Sequence, residues 1–392
     1  MKLSRRVSAV KPSATISITV HAKQLKAQGV DVISLAAGEP DFDTPEHIKA
    51  AAITALERGE TKYTPSNGLP VLREAIAHKL QEENGLEYSP DQVVVGCGAK
   101  HSLYNVFQAI LDPGDEVIVP APYWVSYPEF THLAEGKPVI VETAQRDGFR
   151  IAPAQLEAAI TPRTRAFVLN SPSNPTGMGY DRAALEALAE VLRAYPDVAV
   201  VSDEIYEHLI YDGFEHCSFA AVAPDLYERI FTVNGFSKTF SMTGWRLGYV
   251  ACPDTASAKG IKCIQDQSTT GTTSFAQYGA LAALQGGMAC VEEMRVAFDE
   301  RRRFLVNALN AIPGVECLMP QGAFYVFPSV KAWGIPSMEL AMRLLDEAHL
   351  APVPGAAFGA EGHIRISFAT SHDHLEEAVT RLQAWHAEHV SD

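Results

Sequence analysis

The residue best suited to covalent chemistry is Lys238, which lies among small and aromatic residues in the segment 234–246, after an apolar run. A lysine amine that is partly removed from water has a lowered pKa and becomes a nucleophile. Arg246 follows in the same segment, where its guanidinium could bind a phosphate group close to that amine. Two solvated surface cations are the weaker alternative, because solvated cations are seldom surrounded by Phe, Met and Trp.

A carboxylate and an amide follow two other apolar runs. Asp203 and Tyr206 come after the run 198–202, and a buried carboxylate at a strand end is costly unless a cation meets it. A helix N-cap is the equally weighted alternative for Asp203. Asn174 lies in the segment 171–177, where Pro and Gly predict a tight turn. It is either part of that turn alone or a donor to a cofactor ring oxygen.

Gly98 and Ala99 follow the apolar run 92–95 and open a predicted helix. Small residues at a helix N-terminus favour a phosphate site. The spacing is neither a dinucleotide fingerprint, because His101 occupies the third glycine position, nor a P-loop.

Taken together, these groups are the parts that a pyridoxal phosphate site needs. Lys238 would hold the cofactor aldehyde as a Schiff base, and Asp203 would keep the pyridine nitrogen protonated. Tyr206 and Asn174 would hydrogen-bond the phenolic oxygen of the ring. Arg246 and the amides of Gly98 and Ala99 would hold the phosphate.

The elements that position these groups are short runs rich in Val and Ile, alternating with helical patterns such as 103–111 and 183–195. Such runs are typical of strands buried on both faces, and the alternation predicts an α/β core around a mostly parallel seven-stranded sheet. Ligands then bind at the carboxyl ends of the strands. The predicted strands are 92–95, 116–120, 138–141, 166–170, 198–202, 230–233 and 247–251.

The rest of the chain predicts a smaller α+β domain. Its elements are a long helix over 289–311 with Arg301, Arg302 and Arg303 on a solvated face, strands at 323–327 and 363–368, and helices at 338–348 and 374–388. We therefore expect three parts. Residues 1–45 form an arm and part of the small domain, residues 46–288 the large cofactor-binding domain, and residues 289–392 the small domain.

Composition narrows the function classes. The chain has 392 residues, a length that favours two domains. Its 32 basic and 47 acidic residues give a net charge of −15, which disfavours nucleic acids and anionic membranes as partners. The sequence gives no sign of a secretory signal or a membrane span, and six scattered cysteines without a Cys-x-x-Cys pair predict a reducing, cytoplasmic setting. His363, His372 and His374 have no further ligand at sensible spacing, so no metal site is predicted.

The chain resembles the class I aminotransferases, which are fold type I pyridoxal phosphate enzymes, and among them the bacterial aspartate aminotransferases of the thermophile-type subgroup. The resemblance covers essentially the whole length. It is carried by Tyr63 and by the segments AGEPDF (37–42), PYW (122–124), NPTG (174–177), SDEIY (202–206), SK (237–238), MTGWRLG (242–248) and RIS (365–367).

The resemblance implies further roles. The Gly38 N–H and a bidentate Arg365 would bind the substrate α-carboxylate, with Asn174 beside them, and Trp124 would stack on the cofactor ring next to the substrate. Tyr63 would reach the phosphate in the neighbouring subunit, which implies a homodimer with shared sites. The Asn174–Pro175 bond is expected to be cis. Gly235 replaces a phosphate-contacting serine of many members, so the phosphate would depend on Arg246, Tyr63 and the helix terminus, with Ser237 or Ser241 as an additional contact.

The implied reaction is ping-pong transamination between a small amino acid and a keto acid. L-aspartate and 2-oxoglutarate would give oxaloacetate and L-glutamate, with Lys238 as general base. Lys100, also expected at the cofactor site, would bind the distal carboxylate; a solvated helix-start lysine is its alternative. Two interpretations of Lys11 have equal weight: a solvated lysine of the N-terminal arm, or a second cation that binds prephenate. In the second case prephenate would be converted to arogenate.

Three alternative functions are compatible with the same sequence motifs. An aromatic or kynurenine aminotransferase and a lyase or synthase of this fold would share the cofactor residues. A transcriptional regulator with an aminotransferase-like domain needs a DNA-binding domain and a basic surface, and the charge of −15 argues against it.

Overall fold

The computed structural model describes residues 3–10 and 14–390. Lys11 therefore lies outside the described residues. The strands, in chain order, are β1 Ile33–Ser34, β2 Val93–Gly96, β3 Glu116–Ala121, β4 Lys137–Glu142, β5 Thr164–Asn170, β6 Ala199–Asp203, β7 Ile230–Gly235, β8 Gly248–Ala251, β9 Tyr325–Val326, β10 Leu350–Ala351, β11 Val353–Pro354 and β12 Ile364–Ser367.

The helices alternate with these strands. They are α1 Arg5–Ala9, α2 Ala14–Ala27, α3 Glu46–Glu57, α4 Pro70–Asn84, α5 Ala99–Ile110, α6 Ser126–Leu133, α7 Pro153–Ala159, α8 Arg182–Arg193, α9 Phe219–Val222, α10 Thr255–Ser268, α11 Ser274–Gln285, α12 Ala289–Asn310, α13 Ser337–Glu347 and α14 His372–His389.

Seven strands form the central sheet in the order β2-β8-β7-β6-β5-β3-β4. All run in one direction except β8, which is antiparallel to both neighbours. The predicted mostly parallel seven-stranded sheet is confirmed, and each strand predicted for it is present with bounds shifted by at most two residues.

The sheet is buried on both faces, as its Val-rich strands require. Side chains alternate across β2: Val93 and Val95 pack into one hydrophobic cluster, and Val94 packs into the cluster on the opposite face. Helices cover both faces, and α8 shows how the sequence sets their bounds. The Asp181 carboxylate accepts the backbone N–H of Ala184 and caps its first turn.

The C-terminal part contains a three-stranded sheet in the order β11-β12-β9, and the N-terminal strand β1 pairs with β10. One prediction here is wrong. Of the three arginines expected on a solvated face of α12, only Arg303 is exposed. The Arg301 side chain is 14% exposed and pairs with Asp41. The Arg302 side chain is fully buried and ion-paired with Asp299 and Asp212. Asp212 lies far away in the sequence, so the run of three arginines gave no sign of this contact.

No helix in the described part of the chain is long and apolar enough to cross a membrane. The six cysteines are all free thiols.

Candidate active site

The carboxyl edge of the central sheet opens into a cavity of about 410 Å³. The strand register places Asn170 beside Asp203, and Asp203 beside Val233. Most of the site residues predicted from the sequence line this one cavity: Gly38, Ala99, Lys100, Trp124, Asn174, Asp203, Tyr206, Lys238, Arg246 and Arg365.

Lys238 lies in the loop after β7, with its amine directed into the cavity. The amine donates a hydrogen bond to the backbone carbonyl of Gly38 and lies 5.7 Å from the centroid of the Phe324 ring. Burial lowers the pKa of Lys238 to about 8, against a smaller opposing effect of the Glu39 carboxylate. A lysine with this pKa is partly neutral near physiological pH and can act as a nucleophile or a base.

Asp203 is the last residue of β6, and its carboxylate is buried. The Tyr127 hydroxyl donates to Oδ2 at 2.7 Å, and the Ile205 N–H donates to Oδ1 at 3.4 Å. Burial raises the pKa of Asp203 to about 6, although these two hydrogen bonds and Lys238 lower it. Within the described residues, no cationic group forms an ion pair with this carboxylate, so a protonated ring nitrogen would supply the missing charge.

Arg365 projects from β12 and is 3% exposed. Its guanidinium donates to Asn174 Oδ1 at 2.9 Å and to the Ala36 carbonyl at 2.7 Å. It lies over the rings of Tyr325 and Phe358, and burial lowers its pKa. Its Nε finds no hydrogen-bond partner among the described residues. The Asn174–Pro175 peptide bond that orients Asn174 is cis, as expected.

Tyr206 is buried, and its hydroxyl oxygen lies 3.0 Å from that of Tyr325. Burial raises the pKa of Tyr206 well above its usual value, so it remains a neutral hydrogen-bond donor. The sequence did not single out Tyr325.

Arg246 and the start of α5 form the anion-binding end of the cavity. The guanidinium donates to the carbonyls of Thr243 at 2.8 Å and Cys97 at 3.3 Å. Gly98 has φ +85°, and a Cβ built on it would lie 2.8 Å from the guanidinium. This closeness brings the first amides of α5 beside Arg246, which suits a phosphate group.

A row of glycines forms the floor beneath this anion site. Gly96, Gly248 and Gly235 are register partners across three neighbouring strands. A Cβ at Gly248 would lie 2.2 Å from the Ala99 nitrogen, and one at Gly235 would lie 2.8 Å from the Cα of Gly248. Gly235 therefore has no room for the serine of other family members.

The two serines left as alternatives for the phosphate differ in position. Ser237 lines the cavity. The Ser241 hydroxyl donates to the Met294 sulfur instead, and its backbone carbonyl accepts from Thr44. This geometry favours Ser237.

Lys100 lies on the rim of the cavity, with its ammonium group 5.3 Å from the centroid of the Trp124 ring. Burial and the nearby Arg246 charge lower its pKa. Trp124 itself packs edge-on against Tyr127 at 5.4 Å, so one face of the indole remains available to the cavity.

Tyr63 is the predicted site residue that lies apart from the others. It is 94% exposed and faces a separate groove formed by residues 61–64 and 271–274. Lys11 lies outside the described residues.

Sequence reasoning missed three residues that contact the site: Tyr127, Tyr325 and Glu39. The Glu39 carboxylate accepts a hydrogen bond from Thr243 at 2.7 Å and lines the cavity. Tyr127 lies in the first turn of α6, three residues after Trp124, and this closeness to a predicted site residue was a usable signal. Tyr325 had no such signal, because a Tyr in an apolar run is typical of any buried strand.

The residues present fit pyridoxal phosphate. Among the described residues, the amine of Lys238 donates only to a carbonyl, the Asp203 carboxylate is buried without a cation in an ion pair, and Arg246 adjoins the N-terminus of α5. These are respectively suited to an aldehyde, a ring nitrogen and a phosphate.

Comparison with known proteins agrees with this geometry. Residues 30–382 match the family model of aminotransferase class I and II. The aspartate/prephenate aminotransferase of Nitrosomonas europaea is 49% identical over 97% of this chain and 99% of its own length. The aspartate aminotransferase of Geobacillus stearothermophilus is 51% identical over 97% of this chain and 98% of its own.

A solved structure is similar throughout. The aspartate aminotransferase from Rhizobium meliloti superposes with a TM-score of 0.96 at 44% identity and covers all of both chains. The matching family depends on pyridoxal phosphate. From its length-wide matches and its fold, the chain belongs to the class I and II aminotransferases.

Proposed function

We propose that this chain catalyses transamination between L-aspartate and 2-oxoglutarate, giving oxaloacetate and L-glutamate, with pyridoxal phosphate bound at Lys238. The observation that carries the proposal is that one cavity contains an amine of lowered pKa and a buried guanidinium that has no carboxylate partner among the described residues. The names of the relatives given above support aspartate as the amino donor.

Residues of this chain would hold the cofactor at its phosphate, its ring nitrogen, its phenolic oxygen and one face of its ring. Arg246 and the amides of Gly98 and Ala99 bind the phosphate, and Asp203 pairs with the ring nitrogen. Tyr206 and Asn174 donate to the phenolic oxygen, and Trp124 covers one face of the ring. When bound, the cofactor supplies a ring that accepts the electron pair left when the α-proton of the substrate is removed.

The substrate end binds and orients the amino acid. Arg365 pairs with the α-carboxylate in a bidentate fork, the Gly38 N–H donates to the same group, and Asn174 holds the guanidinium in place. Lys238, whose pKa is lowered to about 8, would take the α-proton at its Nζ and then donate it from the same atom. Asp203 would stabilise a positive charge on the ring nitrogen of the bound cofactor.

Lys100 would set the preference for dicarboxylic substrates. Its ammonium group lies on the rim at the N-terminal end of α5, where a helix disfavours a cation. A substrate carboxylate would form an ion pair with this ammonium group. The ion pair would offset the cost of its partial burial and of its position at a helix N-terminus. Lys100 also adds positive charge near the phosphate.

The proposed assembly is a homodimer in which Tyr63 reaches the phosphate of the partner subunit. Its 94% exposure and its separation from the cavity of its own chain support this role. We propose a cytoplasmic enzyme divided into residues 1–45, 46–288 and 289–392. The pairing of β1 with β10 supports assigning part of the N-terminal segment to the small domain.

Prephenate is a second candidate acceptor. The 49% identical relative named as an aspartate/prephenate aminotransferase and the rim position of Lys100 favour it. Lys11 is proposed as the second cation for this larger acid.

A two-step spectral titration tests both activities. L-aspartate added to the holoenzyme should abolish the absorption band of the Lys238-bound cofactor. After aspartate is removed, 2-oxoglutarate should restore the band. Restoration by prephenate as well would establish the second activity, whereas a band that aspartate leaves unchanged would contradict the proposed function. Lys238→Ala provides the matched control, because it cannot form the starting band.

A further inference from the structure

Tyr325 lies where the substrate and cofactor ends of the cavity meet. Its side chain is fully buried in β9, with the hydroxyl 3.0 Å from the Tyr206 hydroxyl. Its ring lies under the guanidinium of Arg365, 4.4 Å from centroid to Cζ. A Cβ built on Gly38 would lie 3.6 Å from the same hydroxyl. One side chain therefore contacts residues proposed for both ends of the site.

The number of protons on the two tyrosine hydroxyls decides the direction of the hydrogen bond between them. Each phenol carries one proton to donate and can accept through its oxygen. If Tyr206 donates its proton to the phenolic oxygen of the cofactor, it has none left for Tyr325. The 3.0 Å contact is then a hydrogen bond only when Tyr325 is the donor and Tyr206 the acceptor.

The surroundings of Tyr325 favour this direction. The titratable groups that face it are Tyr206, Arg365 and Glu39. Burial raises the pKa of Tyr325, so it keeps its proton, and the Arg365 charge counteracts that rise. The Arg365 charge over the Tyr325 ring makes the Tyr325 hydroxyl a stronger donor. A hydrogen bond from Tyr325 to the Tyr206 oxygen in turn strengthens the hydrogen bond that Tyr206 donates to the cofactor oxygen.

We propose that Tyr325 is a positioning residue that directs the Tyr206 proton toward the cofactor oxygen and couples that hydrogen bond to the occupancy of Arg365. This inference depends on the proposed function, because it requires pyridoxal phosphate at Lys238. A bound carboxylate offsets the positive charge of Arg365, which makes the Tyr325 hydroxyl a weaker donor to Tyr206. The negative charge on the cofactor oxygen is then less stabilised.

The test is a pH titration of the absorption band of the bound cofactor without any substrate. Tyr325→Phe keeps the ring under Arg365 and removes only the hydroxyl. Loss of this donor raises the apparent pKa of the bound cofactor by about half a unit, a roughly threefold change in its ionisation constant. Tyr206→Phe should raise it further in the same direction.

A second arm measures the coupling. Succinate, a dicarboxylate without an amino group, should shift the wild-type titration when it saturates the site. The shift should shrink in Tyr325→Phe. In the Tyr206→Phe background, adding Tyr325→Phe should change the titration by less than in the wild type, because the two hydroxyls act in series.

Tyr211→Phe is the matched control. Tyr211 is also fully buried beneath an arginine, with its ring centroid 4.6 Å from Arg302, and its hydroxyl donates to the Ala323 carbonyl at 2.6 Å. This substitution should lower thermal stability and leave the titration unchanged.

An unchanged apparent pKa and an undiminished succinate shift in Tyr325→Phe would overturn the inference, provided that Tyr206→Phe shifts the band. If Tyr325→Phe does not fold, an undiminished succinate shift in Tyr206→Phe overturns it instead. A wild-type holoenzyme without a titratable cofactor band would overturn the proposed function itself, and the role of Tyr325 with it.

Discussion

Two groups of buried cations differ in what surrounds them. Arg302 donates to the carboxylates of Asp299 and Asp212, and Lys79 pairs with the buried Glu207. In the cavity, Arg365 and Lys238 donate to an amide oxygen and to carbonyls, with no carboxylate in an ion pair with either one in the part of the chain that the structure describes. We call Arg302 and Lys79 the paired cations, and Arg365 and Lys238 the unpaired cations.

The difference separates structural from functional burial. A buried charge is costly unless ion pairs and hydrogen bonds compensate it. The paired cations satisfy this requirement within the fold, so their removal should cost stability. The unpaired cations leave the requirement to be met by a ligand, so their removal should cost activity and spare the fold.

The largest effect on this comparison is expected at the two lysines. Lys238→Ala should lower turnover by about 10⁴-fold or more, because it removes both the cofactor attachment and the base. Lys79→Met should instead lower the free energy of unfolding by about 3 kcal/mol, because it removes the nearest cation from the buried Glu207 and leaves His208, at 3.7 Å, as its ion-pair partner. Single-turnover kinetics and equilibrium unfolding measure the two changes. Comparable turnover losses in both variants would remove the distinction.

The two arginines give the next largest contrast. Arg365→Met should lower kcat/KM for aspartate by about 10³-fold, because it leaves the α-carboxylate without its charged partner. Its free energy of unfolding should stay within about 1 kcal/mol of the wild type. Arg302→Met should keep activity per folded molecule and lower the free energy of unfolding by about 1 to 3 kcal/mol, because it removes the hydrogen bonds to Asp299 and Asp212. Denaturant unfolding at fixed protein concentration measures the stability of both variants. A strongly destabilised Arg365→Met would contradict the assignment of Arg365 to substrate binding rather than to the stability of the fold.

Lys100 extends the comparison to the rim, where the cation is only partly buried. Lys100→Met should lower kcat/KM for aspartate by about 10- to 100-fold, because the distal carboxylate loses its ion pair. L-alanine, which has no distal carboxylate, should lose less than about twofold. Steady-state kinetics with both amino acids provides the internal control. Equal losses for both would assign Lys100 to the cofactor rather than to the substrate.

The smallest predicted effect concerns the buried anion of the site. Tyr127 lowers the pKa of Asp203 through its hydrogen bond, so Tyr127→Phe should raise that pKa above about 6. A cofactor ring nitrogen that is protonated would lower this pKa in the holoenzyme, so the acid limb of the kcat/KM profile should lie at lower pH than in the free carboxyl and move upward by less than about one pH unit in the variant. The variant is then most impaired at the acid end of the profile and nearly normal at pH 8.

Tyr180→Phe is the control for that pH profile. Tyr180 is also buried, and its hydroxyl accepts the Ile151 N–H at 2.9 Å, away from Asp203. It should lose stability and retain the wild-type acid limb. An acid limb that is the same in Tyr127→Phe and the wild type would show that Tyr127 does not tune Asp203.

The sequence predicted the central sheet well because apolar runs of Val and Ile are local signals for doubly buried strands. It also predicted that Asp203, Asn174 and Lys238 converge, because the carboxyl ends of parallel strands meet at one edge. The roles of Gly38, Trp124 and Arg365 came from the family resemblance and could not have been derived from spacing.

The misses share a physical cause. The partners of Arg302 include Asp212, which is 90 residues away, and the hydroxyl contact of Tyr325 with Tyr206 spans 119 residues. Such contacts depend on how packed elements approach each other in three dimensions. A local pattern records only that these side chains are large and amphipathic.

The glycine row beneath the anion site has a consequence for how this enzyme can change. Gly96, Gly248 and Gly235 set the depth at which α5 meets the sheet, whereas Lys100 on the rim has a side chain that other residue types can replace. A saturation library selected for a new amino donor should accumulate substitutions on the rim and remain depleted of them at these glycines, whichever donor is used for selection. The fold thus separates rim positions, where substitutions are tolerated, from these three glycine positions, where they are not.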